Sequence, residues 1–200
     1  MTWLSPLTLS GKIARLEPLA QAHHDDLAEA VRDGALWTLW YTHVPAPDAV
    51  RGEIDRRLRL FEQGMMLPFA VIDQASGKAV GMTTYCNVDA ANRRVEIGYT
   101  WYARHVQESG LNAECKLMLL GQAFEALDCI AVEFRTHFFN HRSRAAIERL
   151  GAKLDGILRS HQVSPDGRLR DTCVYSIIRC EWPTVKTHLE YRLARRAGAA

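Results

Sequence analysis

The sequence predicts an α/β (α+β) domain: a mixed, mostly antiparallel, twisted sheet of about seven strands, flanked by helices and followed by a C-terminal helix. Three observations carry this expectation. Residues 67–102 hold three apolar strand patterns separated by turn residues, the mark of an antiparallel meander. A long apolar helix pattern over 111–127 then leads to an alternating strand over 131–136, and a strand, helix and strand of these lengths imply a right-handed parallel crossover. Finally Ser164-Pro165-Asp166-Gly167, a strong turn signal, divides the strand patterns 153–163 and 169–178 into a hairpin.

Residues 12–16 alternate as a short first strand, which Pro18 ends. A helix over 20–32 follows, with Leu27, Ala28 and Val31 at helical spacing, Asp25 and Asp26 near its start, and Gly34 closing it. Next comes an aromatic stretch holding Trp37, Trp40, Tyr41 and His43, ahead of two prolines. Asp48 is the expected N-cap of a second helix that carries Ile54, Leu58 and Phe61 on one face. After the meander, the long helix places Ala113, Leu117, Leu120, Phe124 and Leu127 on one stripe. Asn140 caps a further helix bearing Ala145, Ala146, Ile147 and Leu150, with Gly151 as its C′ residue. The tail reads as an amphipathic helix with Trp182, Val185, Leu189 and Leu193 on one side. The organisation is therefore one domain over 1–180 and a helical tail over 181–200, whose apolar side offers a homodimer interface.

With 200 residues, 48% of them hydrophobic, the chain suits one full core. Lys and Arg total 25 against 23 acidic residues, a formal charge of +2, so the basic footprint that nucleic acid demands is missing. No apolar run approaches the roughly 18 residues needed to span a bilayer, and no signal-peptide pattern opens the chain; no membrane partner and a cytoplasmic location are expected. The cysteines (Cys86, Cys115, Cys129, Cys173 and Cys180) contain no C-x-x-C pair and read as reduced core thiols. His137 and His141 are separated by the Asn140 cap and do not share a helix, so no metal is expected. Dinucleotide, P-loop and serine-hydrolase signatures do not occur.

The most informative segment is the strand ending Glu96-Ile97-Gly98-Tyr99-Thr100-Trp101-Tyr102, which runs through Gln107-Glu108-Ser109-Gly110-Leu111-Asn112 into the long helix. Such a loop gathers backbone N–H groups and the positive end of a helix dipole at one spot, a ready site for pyrophosphate. Gly110 lacks a Cβ and lets a phosphate approach its N–H, while Ser109 and Leu111 add donors. Glu108 puts a carboxylate in the same loop, so its side chain is expected to face solvent, with Arg104, His105 and Lys116 restoring a positive field.

Glu96-Ile97-Gly98-Tyr99, the Gln107-x-x-Gly110 loop, and Asn140-x-x-Ser143 followed by Gly151-Ala152 resemble the GNAT superfamily of acyl-CoA-dependent N-acyltransferases, and in the last motif its RimJ/RimL-type branch of ribosomal-protein acetyltransferases. The resemblance covers residues 9 to about 178; Asn112 departs from the usual Gly or Ala. It implies acetyl-CoA as cofactor and acetyl transfer to a primary amine, on a protein or peptide N-terminus or a small molecule, by direct attack in a ternary complex. It further implies that Gln107, Glu108, Ser109, Gly110, Leu111 and Asn112 hold the pyrophosphate, that Thr100, Trp101 and Tyr102 line the thioester and pantetheine, and that Asn140 bonds the pantetheine arm. Ser143 would donate a proton to the departing thiolate, or simply cap its helix.

In the histone-acetyltransferase branch the general base is a glutamate on the fourth strand, eleven residues before the loop glutamine, the separation of Glu96 and Gln107 here. A structural carboxylate bonded to neighbouring backbone is the other reading of Glu96. In the RimL type the base lies nineteen residues beyond the serine, where this chain has Gln162, which cannot act as one; His161 stands beside it. Trp37, Trp40 and Tyr41, with His43, occupy the corner where family members build the acceptor pocket, or else fill the core. A CoA-binding regulatory or assembly protein without turnover is the competing class.

Overall fold

The computed structural model describes residues 3–164 and 166–197. Pro165 in the expected hairpin turn and the end of the tail lie outside the described residues. Strands β1 (Leu9–Ser10), β2 (Ala14–Pro18), β3 (Met66–Asp73), β4 (Ala79–Asp89), β5 (Arg94–Tyr102), β6 (Ala131–His137), β7 (Lys153–Val163) and β8 (Leu169–Ile178) form one sheet in the order β1-β2-β3-β4-β5-β6-β8-β7. Every pairing is antiparallel except β5 with β6, the crossover pair. The expected seven strands become eight because β1, only two residues long, is too short to leave a periodic signal.

Helices α1 (His24–Arg32), α2 (Val50–Glu62), α3 (Leu111–Gly121), α4 (His141–Glu148) and α5 (Trp182–Ala197) flank the sheet. Central strands are covered on both faces, which is why residues 79–86 of β4 are buried without interruption. Alternation sorts their contacts: Thr83 and Tyr85 meet α3 through Lys116 and the Leu119 carbonyl, whereas Thr84 meets Arg57 of α2. Four cysteines are buried and Cys180 is exposed, all of them free thiols. No helix among the described residues is long and apolar enough to cross a membrane.

Three local expectations are corrected. Asp48 does not cap α2; it lies inside a 3₁₀ turn, Pro47–Ala49, and no side chain caps the helix. The expected 111–127 helix changes to a π-helical turn over Gln122–Ala126. Its buried face is also shifted: Leu111, Cys115, Leu119, Leu120, Ala123 and Phe124 are buried, while Ala113 and Leu117 are only half-buried. Glu114, on that face, fixes the start of α3 by accepting the backbone N–H groups of Lys12, Ile13 and Ala14 at 2.8, 2.7 and 2.7 Å.

The tail helix packs within its own chain. Trp182 stacks on Phe124 with ring centroids 5.4 Å apart and donates its indole N–H to Glu125 at 2.9 Å, and Val185 and Leu189 are buried beside it. The apolar side that the sequence offers to a second copy is thus largely spent inside the protein. Trp182→Ala is expected to cost about 3–5 kcal/mol of stability, the range for truncating a buried aromatic side chain, measured by urea denaturation.

Candidate active site

The site begins with a defect in β5. Thr84 pairs with Gly98 and Met82 with Trp101, so Tyr99 and Thr100 together oppose the single residue Thr83, a β-bulge. Tyr99 takes a left-handed φ of 50°, an unfavourable conformation for an aromatic residue. Arg57 holds it there. This fully buried side chain donates to the Tyr99 carbonyl at 3.2 Å and to Thr84 Oγ1 at 2.9 Å, and its Nε pairs with Glu53 at 2.7 Å. On the other edge of β5, the parallel ladder to β6 ends at Glu96 opposite Glu133. Beyond that pair the strands part, and residues 97–102 have no strand neighbour on the β6 side among the described residues.

A cleft of about 1220 Å³ occupies the gap and runs to the loop at the start of α3. Here the amides of Glu108, Ser109, Gly110, Asn112 and Ala113 have no acceptor among the described residues, as the first turn of a helix leaves them. Gly110 sits at φ 104°, which L side chains rarely adopt. The space beside its Cα is not left for a phosphate, however: a Cβ would meet Ile13 at 3.4 Å and Arg196 of α5 at 3.6 Å. The glycine is needed for its backbone angle. Gln107 lines the cleft and turns its amide onto the Tyr102 carbonyl at 2.8 Å, while Ser109 bonds back to the Val106 carbonyl at 2.7 Å and is otherwise exposed. Leu111 is buried in the core and contributes through its backbone, whose N–H reaches Ser109 Oγ at 3.3 Å.

Glu108 points outward, with 77% of its side chain exposed and Arg142 at 3.4 Å, as its charge requires. The positive field comes from a different set of residues than expected. His105 is engaged by Asp33 at 2.7 Å, and Lys116 is buried in the cleft wall against threonine hydroxyls, leaving Arg104 with Arg142, Arg192 and Arg196 along the mouth. Lys116 is buried, and its Nζ donates to Thr100 Oγ1 at 3.0 Å and Thr83 Oγ1 at 3.3 Å with no carboxylate partner among the described residues. Burial pushes its pKa down to about 8.

Glu96 enters the cleft where the strands separate. Its Oε2 accepts from Asn87 Nδ2 at 2.6 Å and lies 3.5 Å from Arg135. Burial raises its pKa above the ordinary carboxylate value, against the opposing effects of Asn87 and Arg135. A Cβ on Gly98 would come within 2.7 Å of Glu96 Oε1, so this glycine makes room for the carboxylate. Across the cleft, Asn140 Oδ1 accepts from the Ser143 N–H at 3.0 Å, the expected cap, and the half-buried Ser143 hydroxyl makes no hydrogen bond among the described residues. The whole Glu-Ile-Gly-Tyr segment, the loop and the α4 cap therefore open onto one cavity.

A family profile described as the acetyltransferase (GNAT) domain matches residues 14–153. The chain belongs to the GNAT family. Among GNAT proteins of known structure, it is 32% identical to a GCN5-related N-acetyltransferase from Brucella melitensis, with a TM-score of 0.83 over 95% of this chain and 86% of that one. It is likewise 32% identical to a T. thermophilus protein assigned as an acetyltransferase, with a TM-score of 0.83 over 96% of this chain and 99% of that one. YdaF of Bacillus subtilis (strain 168), a proposed ribosomal N-acetyltransferase, is 33% identical over 106 residues, 53% of this chain. That match spans only 57% of YdaF itself.

Within this GNAT frame the aromatic corner divides. Tyr41 and His43 line the cleft; Trp37 packs against the hydrophobic core, and Trp40 stands outside the cleft, 5.0 Å from the His137 ring and half exposed. Trp101 lines the cleft but is almost wholly buried, with its indole N–H lacking an acceptor among the described residues. His161 and Gln162 line the cleft from β7, exposed. Asn87, Arg135, Arg142, Arg192 and Arg196 are additional site residues. Arg57 alone left a sequence signal: it falls on the same helix face as Ile54 and Phe61, four residues after Glu53.

Proposed function

We propose that the protein transfers an acetyl group from acetyl-CoA to a primary amine, on a peptide or protein N-terminus or a small molecule, by direct attack in a ternary complex. The observation that carries this reading is the opening of a buried, pKa-raised carboxylate and an anion-ready loop onto one cleft between parted strands. The residues present fit the cofactor. The unpartnered amides of Glu108, Ser109, Gly110, Asn112 and Ala113 and the arginines Arg104, Arg142, Arg192 and Arg196 suit a diphosphate, and the strand backbone beside Thr100 suits an amide-bearing arm.

Acetyl-CoA would supply the thioester carbonyl and the leaving thiol. Glu96 takes the proton from the incoming amine, a role for which its raised pKa brings it closer to neutrality. Free backbone donors near Thr100 orient and polarise a carbonyl. The unbonded Ser143 Oγ gives up a proton to the departing sulfur; with a thiol pKa of about 8.5 that help is modest. Gln162, where the RimL type has its base, favours Glu96 in that role. YdaF's name makes a ribosomal-protein N-terminus one acceptor worth testing, and a cytoplasmic location accords with such a substrate.

The test is thiol release from acetyl-CoA with peptide N-termini, amino acids and polyamines, alongside calorimetric binding of CoA. Release that depends on an added amine is expected. Tight CoA binding without release under every amine would favour a regulatory or assembly protein instead.

A further inference from the structure

Arg170 stands out in the acceptor half of the cleft. It lies on β8 opposite Gln162 and lines the cavity with Glu96, His43 and His137. Its half-buried guanidinium makes no hydrogen bond or ion pair with any described residue, its Nε is sealed from solvent without an acceptor, and the nearby opposite charge it feels most is that of Glu96. The neighbouring arginines are already engaged. Arg135 holds Glu133 at 3.0 Å and Glu96 at 3.5 Å, and Arg168 pairs with Asp166 at 3.1 Å while lying over the Trp40 ring. Sealing even one guanidinium N–H from water without an acceptor is costly unless something completes its hydrogen bond.

We propose that Arg170 receives a carboxylate carried close to the reacting amine, so that the acceptor is an α-amino acid or a peptide whose second residue is acidic. This rests on the acetyl-transfer reading and specifies its substrate class. Glu96 and Arg170 set a proton acceptor and a cation with no hydrogen-bonded partner among the described residues in one pocket, the complement of an amine beside an anion. A guanidinium offers a carboxylate two parallel donors, a fit that an ammonium or amide group in the ligand lacks. The histidines do not compete for this role. Burial first, and the charge of Arg170 next, lower the pKa values of His43 and His137 and keep both neutral near pH 7. The aromatic walls supplied by Tyr41 and His137 accommodate the organic part of such a ligand.

Two matched pairs test the assignment: serine against serinamide, and a peptide beginning Ser-Glu against one beginning Ser-Gln. In one pair, the carboxylate member is expected to be preferred about 10- to 100-fold in kcat/KM, chiefly through KM, the range for one charged hydrogen-bonded contact. Which pair responds separates a free amino acid from a peptide. Arg170→Gln should collapse that preference, reducing the carboxylate acceptor far more than its amide twin, and Arg170→Lys should restore part of it. Thermal unfolding of each variant checks the fold. Calorimetry of the same ligands into CoA-loaded protein gives a readout independent of turnover. Arg170-dependent carboxylate binding without thiol release would uphold this site while refuting acetyl transfer. Equal affinity for carboxylate and amide members in both pairs, or a preference that survives Arg170→Gln, would overturn it.

Discussion

Glu96→Gln is expected to reduce kcat/KM by about 10²- to 10⁴-fold, the contribution of a positioned general base, while leaving CoA affinity nearly unchanged. The carboxylate lies at the divergence of β5 and β6, away from the loop amides, so a neutral isostere there leaves the loop untouched. The pH profile carries the sharper signature. Burial raises the Glu96 pKa, so the wild-type rate should climb as pH rises through that raised value and deprotonates the base. Glutamine should flatten that limb, and an unchanged pH–rate curve would remove Glu96 from the reaction. Stability should move the other way. Because the folded pKa lies above the unfolded one, ionised Glu96 opposes folding at neutral pH, and that opposition fades as pH falls through the folded value. The variant is therefore expected to be no less stable at pH 7, with Arg135 still paired to Glu133.

Arg57→Met is the second large effect, and it couples stability to catalysis. Removing the guanidinium leaves the Tyr99 carbonyl and Thr84 hydroxyl without their buried donor, and takes one cation from Glu53. A loss of about 3 kcal/mol is expected, toward the lower end for a broken buried pair because Arg56 still bonds Glu53 at 2.8 Å. The hydrogen bond that pins the Tyr99 carbonyl in its left-handed conformation is then lost, only Arg56 over its ring remains, and the bulge is expected to relax toward a regular ladder. Turnover should fall beyond what the unfolded fraction accounts for, measured well below the melting temperature. A loss of stability with normal kcat in the folded protein would show that the bulge stands without Arg57.

The features legible in the sequence are those contiguous along it. Glu96, Gly98, the bulge residues and the 107–112 loop all lie within seventeen positions, and strand alternation together with a glycine before an apolar helix exposes them directly. The Asn140 cap is legible for the same reason, since its partner is Ser143. What periodicity does not reveal is assembled by register. Asn87, Arg135 and Arg170 come from β4, β6 and β8 and meet at the cleft only because β8 inserts between β6 and β7. The stripe on α3 departs from its expected phase for a further reason: sheet and tail helix bury it from two directions, and a π-helical turn shifts its last residues out of phase with the α-helical period. Lys116 reads as a surface cation serving the loop, yet it sits one turn beyond Asn112 on the inner side, where two threonine hydroxyls receive it.

The carboxyl-terminal helix closes on the loop that opens α3: Arg196 bonds the Glu108 carbonyl, and the Arg196 and Leu193 side chains fill the space beside Gly110. Anyone handling this molecule should take note, because a purification handle or fluorescent fusion attached behind that helix would pull on the very turn that frames the loop.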